Sequence, residues 1–373
     1  MTLAAAPATA GAVHADPPRE TTYRPPHPLD LRRTVGMLRR GGTDPTTVFD
    51  GPVIWRAVRT PQGPSTLALR MSGNEVKATA WGPGAEHALA LVPALCGAGD
   101  DPTGFDPSQH PLIAEAARRH PGIRLARTDE VFDALACGIL EQKVTSMQAF
   151  GAWRYLVSRY GDPAPGPTPR PMAVAPTAAQ WRRIPSWAWH RAGVEPPQSK
   201  TIVRAAERGD RIAAAVRAAT TGADRDRVLT SLPGVGVWTA AETRIRALGD
   251  PDAVSVGDYH LAHEVGHALT GHRTDDAGMI ELLAPWAGHR QRVIRLIFAS
   301  GRPTYAERMS RTALRTFVTV GLLIAGVVLG LIFQNVWLGV LLAAIVWFGW
   351  FLGYESRRGH NAGVNDEDHG VEL

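Results

Sequence analysis

Two short segments of the chain carry residue types that can do chemistry. The first is a glycine-containing turn over residues 233–236, between two runs at 223–232 and 237–248 that read as helices. Turn glycines permit positive φ and close backbone approach, and the free N–H groups at the start of the second helix favour a bound anion. Gly234 and Gly236 are therefore predicted to hold a phosphate.

The second segment centres on Asp258, which follows a strand-like run at 253–256 and precedes a helical run at 259–269. Aspartate is a favoured N-cap, and the helix dipole stabilises its negative charge, so a purely structural role is open. The same carboxylate, facing a sugar, can stabilise the positive charge that develops as a glycosidic bond breaks. Both roles fit the residue.

Together these segments resemble the bacterial 3-methyladenine DNA glycosylase II family, part of the helix-hairpin-helix DNA glycosylase superfamily. The resemblance is carried by Leu232-Pro-Gly-Val-Gly-Val-Trp-Thr-Ala240, by Asp258-Tyr259, and by Pro285-Trp286 with basic residues after it. It implies that Asp258 is catalytic and that Trp238, Tyr259 and Trp286 line the base pocket. In the same way, the segment 139–145 resembles a loop that probes DNA at the flipped base, with Gln142 and Lys143 as candidates.

The resemblance also implies which chemistry is absent. Bifunctional relatives, which also cut the strand, have a lysine where this chain has Trp238, so a Schiff base at that position is unavailable. Iron–sulfur relatives have four cluster cysteines, whereas this chain has only Cys96 and Cys137. The expected enzyme is a monofunctional glycosylase that removes alkylated purines by base flipping, leaves an abasic site, and uses no metal or other cofactor.

The composition fits a double-stranded DNA partner containing alkylated bases. The chain has 40 Lys plus Arg against 35 Asp plus Glu, a net charge of +5, with local pairs of arginines spread along the sequence. Such an excess favours contact with phosphates without proving it. The two cysteines lie far apart and indicate a reducing compartment and no disulfide. No protein partner is predicted.

The sequence predicts an α+β fold with several parts. Residues 1–20 read as a disordered tail, and 21–127 as a small scaffold domain with antiparallel strands at 53–58, 66–71 and 76–81, where apolar and polar residues alternate. Residues 128–305 read as the helical glycosylase domain, 306–358 as a transmembrane helical hairpin, and 359–373 as a polar tail. The family resemblance extends over roughly residues 21–305.

The hairpin prediction comes from residues 317–354, which contain no charged residue. Gln334-Asn335 divides them into two apolar halves, each near the length that crosses a bilayer. Arginines flank both ends, so the positive-inside rule places both termini in the cytoplasm. The protein is then expected at the cytoplasmic side of the cell membrane, or in the cytoplasm and nucleoid if the hairpin is not inserted. A buried or oligomerising helical pair is the alternative.

Two other functions remain open. His263-Glu264-Val-Gly-His267 fits the zincin pattern, in which two histidines one helical turn apart bind zinc and the glutamate acts as base. Catalytic zinc needs a third protein ligand, and neither His272 nor Glu281 has the usual spacing. The second alternative is a membrane-tethered DNA-binding protein without catalysis.

Overall fold

A computed structural model of the chain describes residues 17–301 and 305–356. The predicted tail at 359–373 and most of the one at 1–20 lie outside these residues. Contacts divide the chain into two compact units, one of residues 1–101 with 121–253 and one of residues 102–120 with 254–373. The domain boundaries predicted from composition remain predictions.

The fold combines a small antiparallel sheet with many helices, which confirms the predicted α+β class. The strands are β1 (Arg19–Tyr23), β2 (Thr47–Asp50), β3 (Val53–Thr60), β4 (Gly63–Ser72), β5 (Glu75–Trp81), β6 (Asp162–Pro163) and β7 (Ala173–Val174). The helices are α1 (Leu31–Gly36), α2 (Ala85–Ala90), α3 (Val92–Leu95), α4 (Pro111–Arg119), α5 (Val131–Leu140), α6 (Ser146–Tyr160), α7 (Ala178–Arg183), α8 (Ser186–Arg191), α9 (Pro196–Glu207), α10 (Gly209–Ala218), α11 (Gly222–Thr230), α12 (Val237–Leu248), α13 (Leu261–Thr270), α14 (Asp276–Leu283), α15 (Arg290–Ala299), α16 (Tyr305–Ile332) and α17 (Val336–Ser356).

In the first unit, five strands form an antiparallel sheet in the order β1-β5-β4-β3-β2. The three predicted strands are confirmed as β3, β4 and β5, each as long as predicted or longer. Their alternation buries Leu67, Leu69 and Val76 on one face, where Ala241 and Ile245 of α12 complete the core. The sheet therefore supports the helix that follows the glycine turn, which fits the scaffold role predicted for it.

One correction concerns the N-terminal tail. Arg19 and Glu20, predicted to be disordered, belong to β1, where they pair with Ala80 and Thr79 of β5. The polar composition of this segment conceals the strand, because its backbone hydrogen bonds to a partner distant in sequence stabilise it.

Helix α5 lies at the centre of the helical part of the first unit. Val131, Leu135 and Ile139, predicted to face the core, are all buried. Nearby, the indole rings of Trp153, Trp181 and Trp189 stack in succession, with neighbouring ring centroids 6.3 and 5.7 Å apart. These rings give α6, α7 and α8 a common aromatic core beside α5.

The second unit is built around α4, α13, α14 and α15. Its core contains Ile113, Val265, Met279 and Val293. Residues 253–256, expected to be strand-like, are not a strand in the structure. Ala253 and Ser255 are buried there, but no strand of the described residues pairs with this segment, so it is an irregular connection leading to Asp258.

Helices α16 and α17 form an antiparallel pair at the C-terminal end of the described residues. The break between them falls at the predicted Gln334-Asn335, where Gln334 has a φ of 56° and the Asn335 side chain accepts a hydrogen bond from the Leu338 N–H at 3.0 Å. Gly326 allows close packing, because a Cβ there would lie 2.8 Å from the Gly339 carbonyl oxygen.

The transmembrane prediction for 317–354 is not supported, and with it the lipid bilayer as a partner. Within the part of the chain that the structure describes, no helix is both long enough and apolar enough to cross a membrane. Helix α16 begins at Tyr305, so its length includes Glu307 and Arg308, charged residues that the apolar window left out.

A buried polar cluster in the first unit generates a prediction about stability. Asp133 of α5 lines a cavity of about 40 Å³ together with Arg40, Arg56, Glu130 and Arg246. Burial, followed by the charge of Glu130, raises the pKa of Asp133 from 3.8 to about 7. The folded protein therefore retains a proton that the unfolded chain loses at lower pH.

Because the pKa of Asp133 is raised in the folded state, protonation of its carboxyl group stabilises the folded protein. This stabilisation is complete below about pH 4 and is lost as pH rises through about 7. At pH 8, the free energy of unfolding of Asp133→Asn, measured with urea, should therefore exceed that of the wild type by about 2 kcal/mol. At pH 4 the two free energies should differ little. Asp210→Asn, at an exposed position of α10, should follow the wild type at both pH values. Equal stability of Asp133→Asn and wild type across this range would show that Asp133 does not titrate as described.

Candidate active site

The glycine turn lies where the sequence predicted it. Helix α11 ends at Thr230, and α12 begins at Val237, so the second helix has the predicted bounds and the first differs by one or two residues at each end. Gly234 has a φ of 94°, and a Cβ there would lie 2.2 Å from the Thr201 hydroxyl oxygen. Only glycine fits this position without a shift of its surroundings.

Gly236 has a different role in the same turn. It is the N-cap of α12, its backbone is extended, and no side chain caps the first turn of the helix. A Cβ at Gly236 would meet nothing within 4 Å. The start of α12 is thus open on the side of Gly236, and N–H groups at such a helix end attract anions.

The predicted probe residues lie at the C-terminal end of α5, beside this turn. The Gln142 amide Nε2 donates to the Gly234 carbonyl oxygen at 3.0 Å and to the Thr239 hydroxyl at 2.8 Å. Lys143 is exposed and adopts a left-handed backbone, with a φ of 57°. The structure therefore brings Gln142 to the glycine turn as an internal bridge, while the Lys143 side chain is accessible.

Sequence reasoning missed the residue that supports this bridge. Gln198 of α9 is buried, and its Nε2 lies within 3.4 Å of the carbonyl oxygens of Ile139 and Leu140 and donates to that of Gln142 at 2.9 Å. These carbonyl groups lie at the end of α5, where the helix has no further N–H groups to bond them. A polar residue beside Pro196-Pro197 gave no sequence signal for this role, because its partners are distant in the chain.

Buried charges also join α5 to α12. Arg246 of α12 lies 3.1 Å from Glu242 and 3.8 Å from Glu141, measured between guanidinium nitrogen and carboxylate oxygen. Arg40 pairs with the same Glu141, and all of these side chains are largely buried. Such ion pairs cost desolvation energy, and breaking one leaves a buried charge without its partner, so they fix one arrangement of the two helices.

In the second unit, Asp258 stands at the start of α13. Its Oδ1 accepts hydrogen bonds from the backbone N–H groups of His260 at 2.8 Å and Leu261 at 2.9 Å. Hydrogen bonds from N–H groups to a carboxylate are stronger than those between neutral groups. Asp258 therefore bonds the amides at the start of α13, but the N-cap of that helix is His260, two residues after the predicted position, because the helix begins later than the sequence pattern indicated.

The residue before Asp258 is held as well. Gly257 has a φ of 89°, and its N–H donates to the Asp276 carboxylate of α14 at 3.0 Å. The sequence gave no reason to connect Asp276 with Asp258, because the contact depends on how α14 packs against the connection before α13. Asp276 nevertheless helps to set the backbone that presents Asp258.

The three predicted pocket aromatics have different environments. Tyr259 is 85% exposed, beside the His260 ring. Trp238 is half-buried in the first turn of α12. Trp286 is only 5% exposed, packs in the core of the second unit, and donates its indole N–H to the Asp106 carbonyl oxygen at 2.8 Å.

The zincin pattern lies on α13, where His263 and His267 are one turn apart. His263 Nδ1 lies 2.8 Å from the Thr274 carbonyl oxygen, and His267 Nδ1 lies 3.1 Å from that of Gly271. Across residues 17–301 and 305–356, no three potential metal-ligating side chains come together. Both imidazoles therefore contact the backbone that follows α13.

Comparison with solved structures identifies the fold. The chain is similar to a 3-methyladenine DNA glycosylase from Archaeoglobus fulgidus, with a TM-score of 0.63 and 16% identity, over 75% of this chain and 98% of that one. It is also similar to an 8-oxoguanine glycosylase/lyase from Clostridium acetobutylicum, solved with double-stranded DNA, with a TM-score of 0.60 and 12% identity, over 77% of this chain and 98% of that one. The chain shares the fold of these DNA glycosylases.

Comparison of sequences gives a consistent but partial match. A DNA-3-methyladenine glycosylase from Bacillus subtilis is 23% identical over 194 residues, which are 47% of this chain and 59% of the relative. The match thus covers less than two thirds of the relative's length. No protein-family model matches the chain.

The two turn glycines offer a matched pair of variants. Gly234→Ala introduces a side chain at positive φ and against Thr201, and should lower the free energy of unfolding by about 1–3 kcal/mol. Gly236→Ala places a methyl group in open space and should change it by less than about 1 kcal/mol. Urea unfolding of both proteins measures the difference. If Gly236→Ala were the more destabilised variant, the described turn geometry would be incorrect.

Proposed function

We propose that the chain is a monofunctional DNA glycosylase that hydrolyses the N-glycosidic bond of alkylated purines, of the 3-methyladenine and 7-methylguanine type, and leaves an abasic site. The observation that carries this proposal is the Asp258 carboxylate, held by the amides of His260 and Leu261 beside the exposed ring of Tyr259. This arrangement occurs in a chain with the fold of DNA glycosylases.

The chemistry suits a single carboxylate. A purine alkylated at N3 or N7 carries a positive charge, so it leaves the sugar without prior protonation. The bond between C1′ and the base nitrogen breaks, its electron pair neutralises the base, and positive charge develops on the sugar. Asp258 stabilises that charge, and a water oxygen then bonds to C1′ and gives up a proton to the carboxylate or to solvent.

The aromatic residues support the choice of a cationic base. Tyr259, with most of its ring accessible, is proposed to stack on the flipped base, because an electron-rich ring attracts a cation. Trp238 is proposed as a further base contact through the exposed part of its indole. Trp286 is proposed to act mainly through packing, because its indole is buried and hydrogen-bonded to Asp106.

DNA binding is proposed to involve the first unit through the backbone. The open amides at the start of α12, after Gly234 and Gly236, are suited to a phosphate of the duplex, without reading its sequence. Lys143 is proposed as a DNA contact in the probe loop. Gln142 is proposed to contribute by holding that loop to the turn, because its amide already bonds to Gly234 and Thr239.

We propose that the chain does not cut the DNA strand, because of the residue type at Trp238 near the start of α12. A glycosylase that also cuts DNA needs an amine to form a Schiff base with the sugar, and the indole of Trp238 cannot supply one. Hydrolysis by water then ends the reaction at the abasic site.

The decisive variant is Asp258→Asn, and the chain supplies a matched control. Asp275 is the N-cap of α14, and its Oδ1 accepts a hydrogen bond from the Gly278 N–H at 2.9 Å, much as Asp258 accepts from the amides at the start of α13. If Asp258 only caps a helix, both substitutions should have similar, small effects. If it stabilises a sugar cation, Asp258→Asn should slow base release from methylated duplex DNA by about a hundredfold or more.

The measurement is single-turnover release of free base, together with the affinity of each variant for duplex DNA. We expect Asp258→Asn to bind DNA normally and Asp275→Asn to release base at the wild-type rate. Near-normal release by Asp258→Asn would remove this residue from catalysis. Binding without release by the wild type would favour the alternative of a non-catalytic DNA-binding protein.

A further inference from the structure

The outward face of the five-stranded sheet forms a groove that the proposed glycosylase chemistry does not use. The groove is open and has a volume of about 740 Å³. Pairing of the strands places its side chains in two neighbouring cross-strand rows, Val53–Arg70–Lys77–Thr22 and Trp55–Ala68–Thr79–Glu20. We call this set of residues the outer face.

One side of the outer face is aromatic. The ring of Trp55 stacks on that of Trp81, with centroids 5.5 Å apart and planes 21° from parallel. Gly166 packs against Trp81, since a Cβ there would lie 2.4 Å from its Cγ. Trp55 and Ala68 both line the groove, although Trp55 is half-buried because it also packs against the cluster of Val48, Ala57, Met172 and Val174. A flat ring can lie against the exposed part of the Trp55 indole.

The adjacent row is cationic. Arg70 and Lys77 are direct cross-strand partners, and both are exposed. Like charges directly opposite each other destabilise a sheet, so an anion bound over this pair would offset their repulsion. Of the acidic residues nearby, Glu75 pairs with Arg24 at 2.7 Å, while Glu20 lines the far end of the adjacent row and accepts a hydrogen bond from Thr79 at 3.3 Å.

The two features have the spacing of one nucleotide. Successive residues on one face of a strand, such as Ala68 and Arg70, are about 7 Å apart, a distance that the sugar of a nucleotide bridges. Around them the groove is lined by the apolar side chains of Ala68 and Val53 and by the hydroxyl groups of Thr22 and Thr79. The groove is open, so a polymer can continue past it.

We propose that the outer face binds single-stranded DNA, with a base stacked along Trp55 above Ala68 and a phosphate held by Arg70 and Lys77. Single-strand binding sites commonly combine aromatic stacking with cationic contacts to the backbone. This site is separate from Asp258 and does not depend on base release there.

The first test is the salt dependence of binding to a fluorescein-labelled oligothymidylate, measured by fluorescence anisotropy on the full chain. Each lost phosphate contact reduces the slope of log Kobs against log salt by about 0.7, so Arg70→Gln/Lys77→Gln, which loses the one phosphate that both residues hold, should reduce it by about 0.7. Arg182→Gln/Arg183→Gln removes the same charge from exposed positions of α7 and should leave the slope unchanged. Equal slopes for the two double variants would overturn the proposal.

A second test locates the base and does not depend on any variant folding. Oligothymidylate containing 5-iododeoxyuridine is photo-crosslinked to the wild-type chain, which is then digested with trypsin and analysed by mass spectrometry. We expect a crosslink in the peptide of residues 41–56, which contains Trp55. Crosslinks only in other peptides would overturn the stacking site.

Base release separates this proposal from the glycosylase function. Arg70→Gln/Lys77→Gln should release base from methylated duplex DNA at the wild-type rate while it loses single-strand binding. A protein that binds oligothymidylate as expected but releases no base would retain the outer-face site and refute only the glycosylase proposal.

Discussion

The proposed chemistry depends on the two hydrogen bonds that the His260 and Leu261 amides donate to one oxygen of Asp258. They start helix α13 and at the same time fix the position of the carboxylate. Gly257, with its positive φ, turns the chain into this arrangement, and Asp276 holds the Gly257 amide. A flexible carboxylate would have to be ordered during the reaction, whereas this one is ordered by folding.

In the first unit, folding likewise positions the backbone groups of the glycine turn. Gly234 can adopt its conformation because it lacks a Cβ, and its carbonyl oxygen is bound by Gln142. Gln142 in turn lies at the end of α5 that Gln198 caps. The result is a helix start whose amides face open space at Gly236 while the residues around it are held by buried polar contacts. We propose that these amides bind a phosphate of DNA, which they can do without first having to be arranged.

Local patterns predicted most of the secondary structure around the site. The glycine turn, helix α12 and the strands β3 to β5 follow from turn residues and apolar periodicity, both of which act over a few neighbouring residues. Strand β1 could not be predicted in this way, because pairing with β5 makes it a strand. Residues 253–256 show the converse, since they have a strand-like pattern but no partner strand in the described part of the chain.

Side-chain roles were harder to predict than elements. The contact of Asp258 with the start of α13 was predicted from the sequence, because an aspartate before a helix has a local signature, and its catalytic role stays a prediction. The burial of Trp286 and the internal hydrogen bonds of Gln142 depend on tertiary packing, as do the supporting contacts of Gln198 and Asp276. The apolar run near the C-terminus correctly predicted two helices and their break. Its reading as a membrane span is not supported, because none of the described helices is both long enough and apolar enough to cross a membrane.

The most direct test of the central claim is to identify the products formed by the wild-type chain from duplex DNA that contains methylated purines. Chromatography detects the free base, alkali reveals abasic sites, and borohydride traps any Schiff base between protein and sugar. The account predicts free methylated purine, a strand that stays intact until alkali is added, and no trapped complex. Bound DNA without released base, or a borohydride-trapped complex with a cut strand, would contradict it.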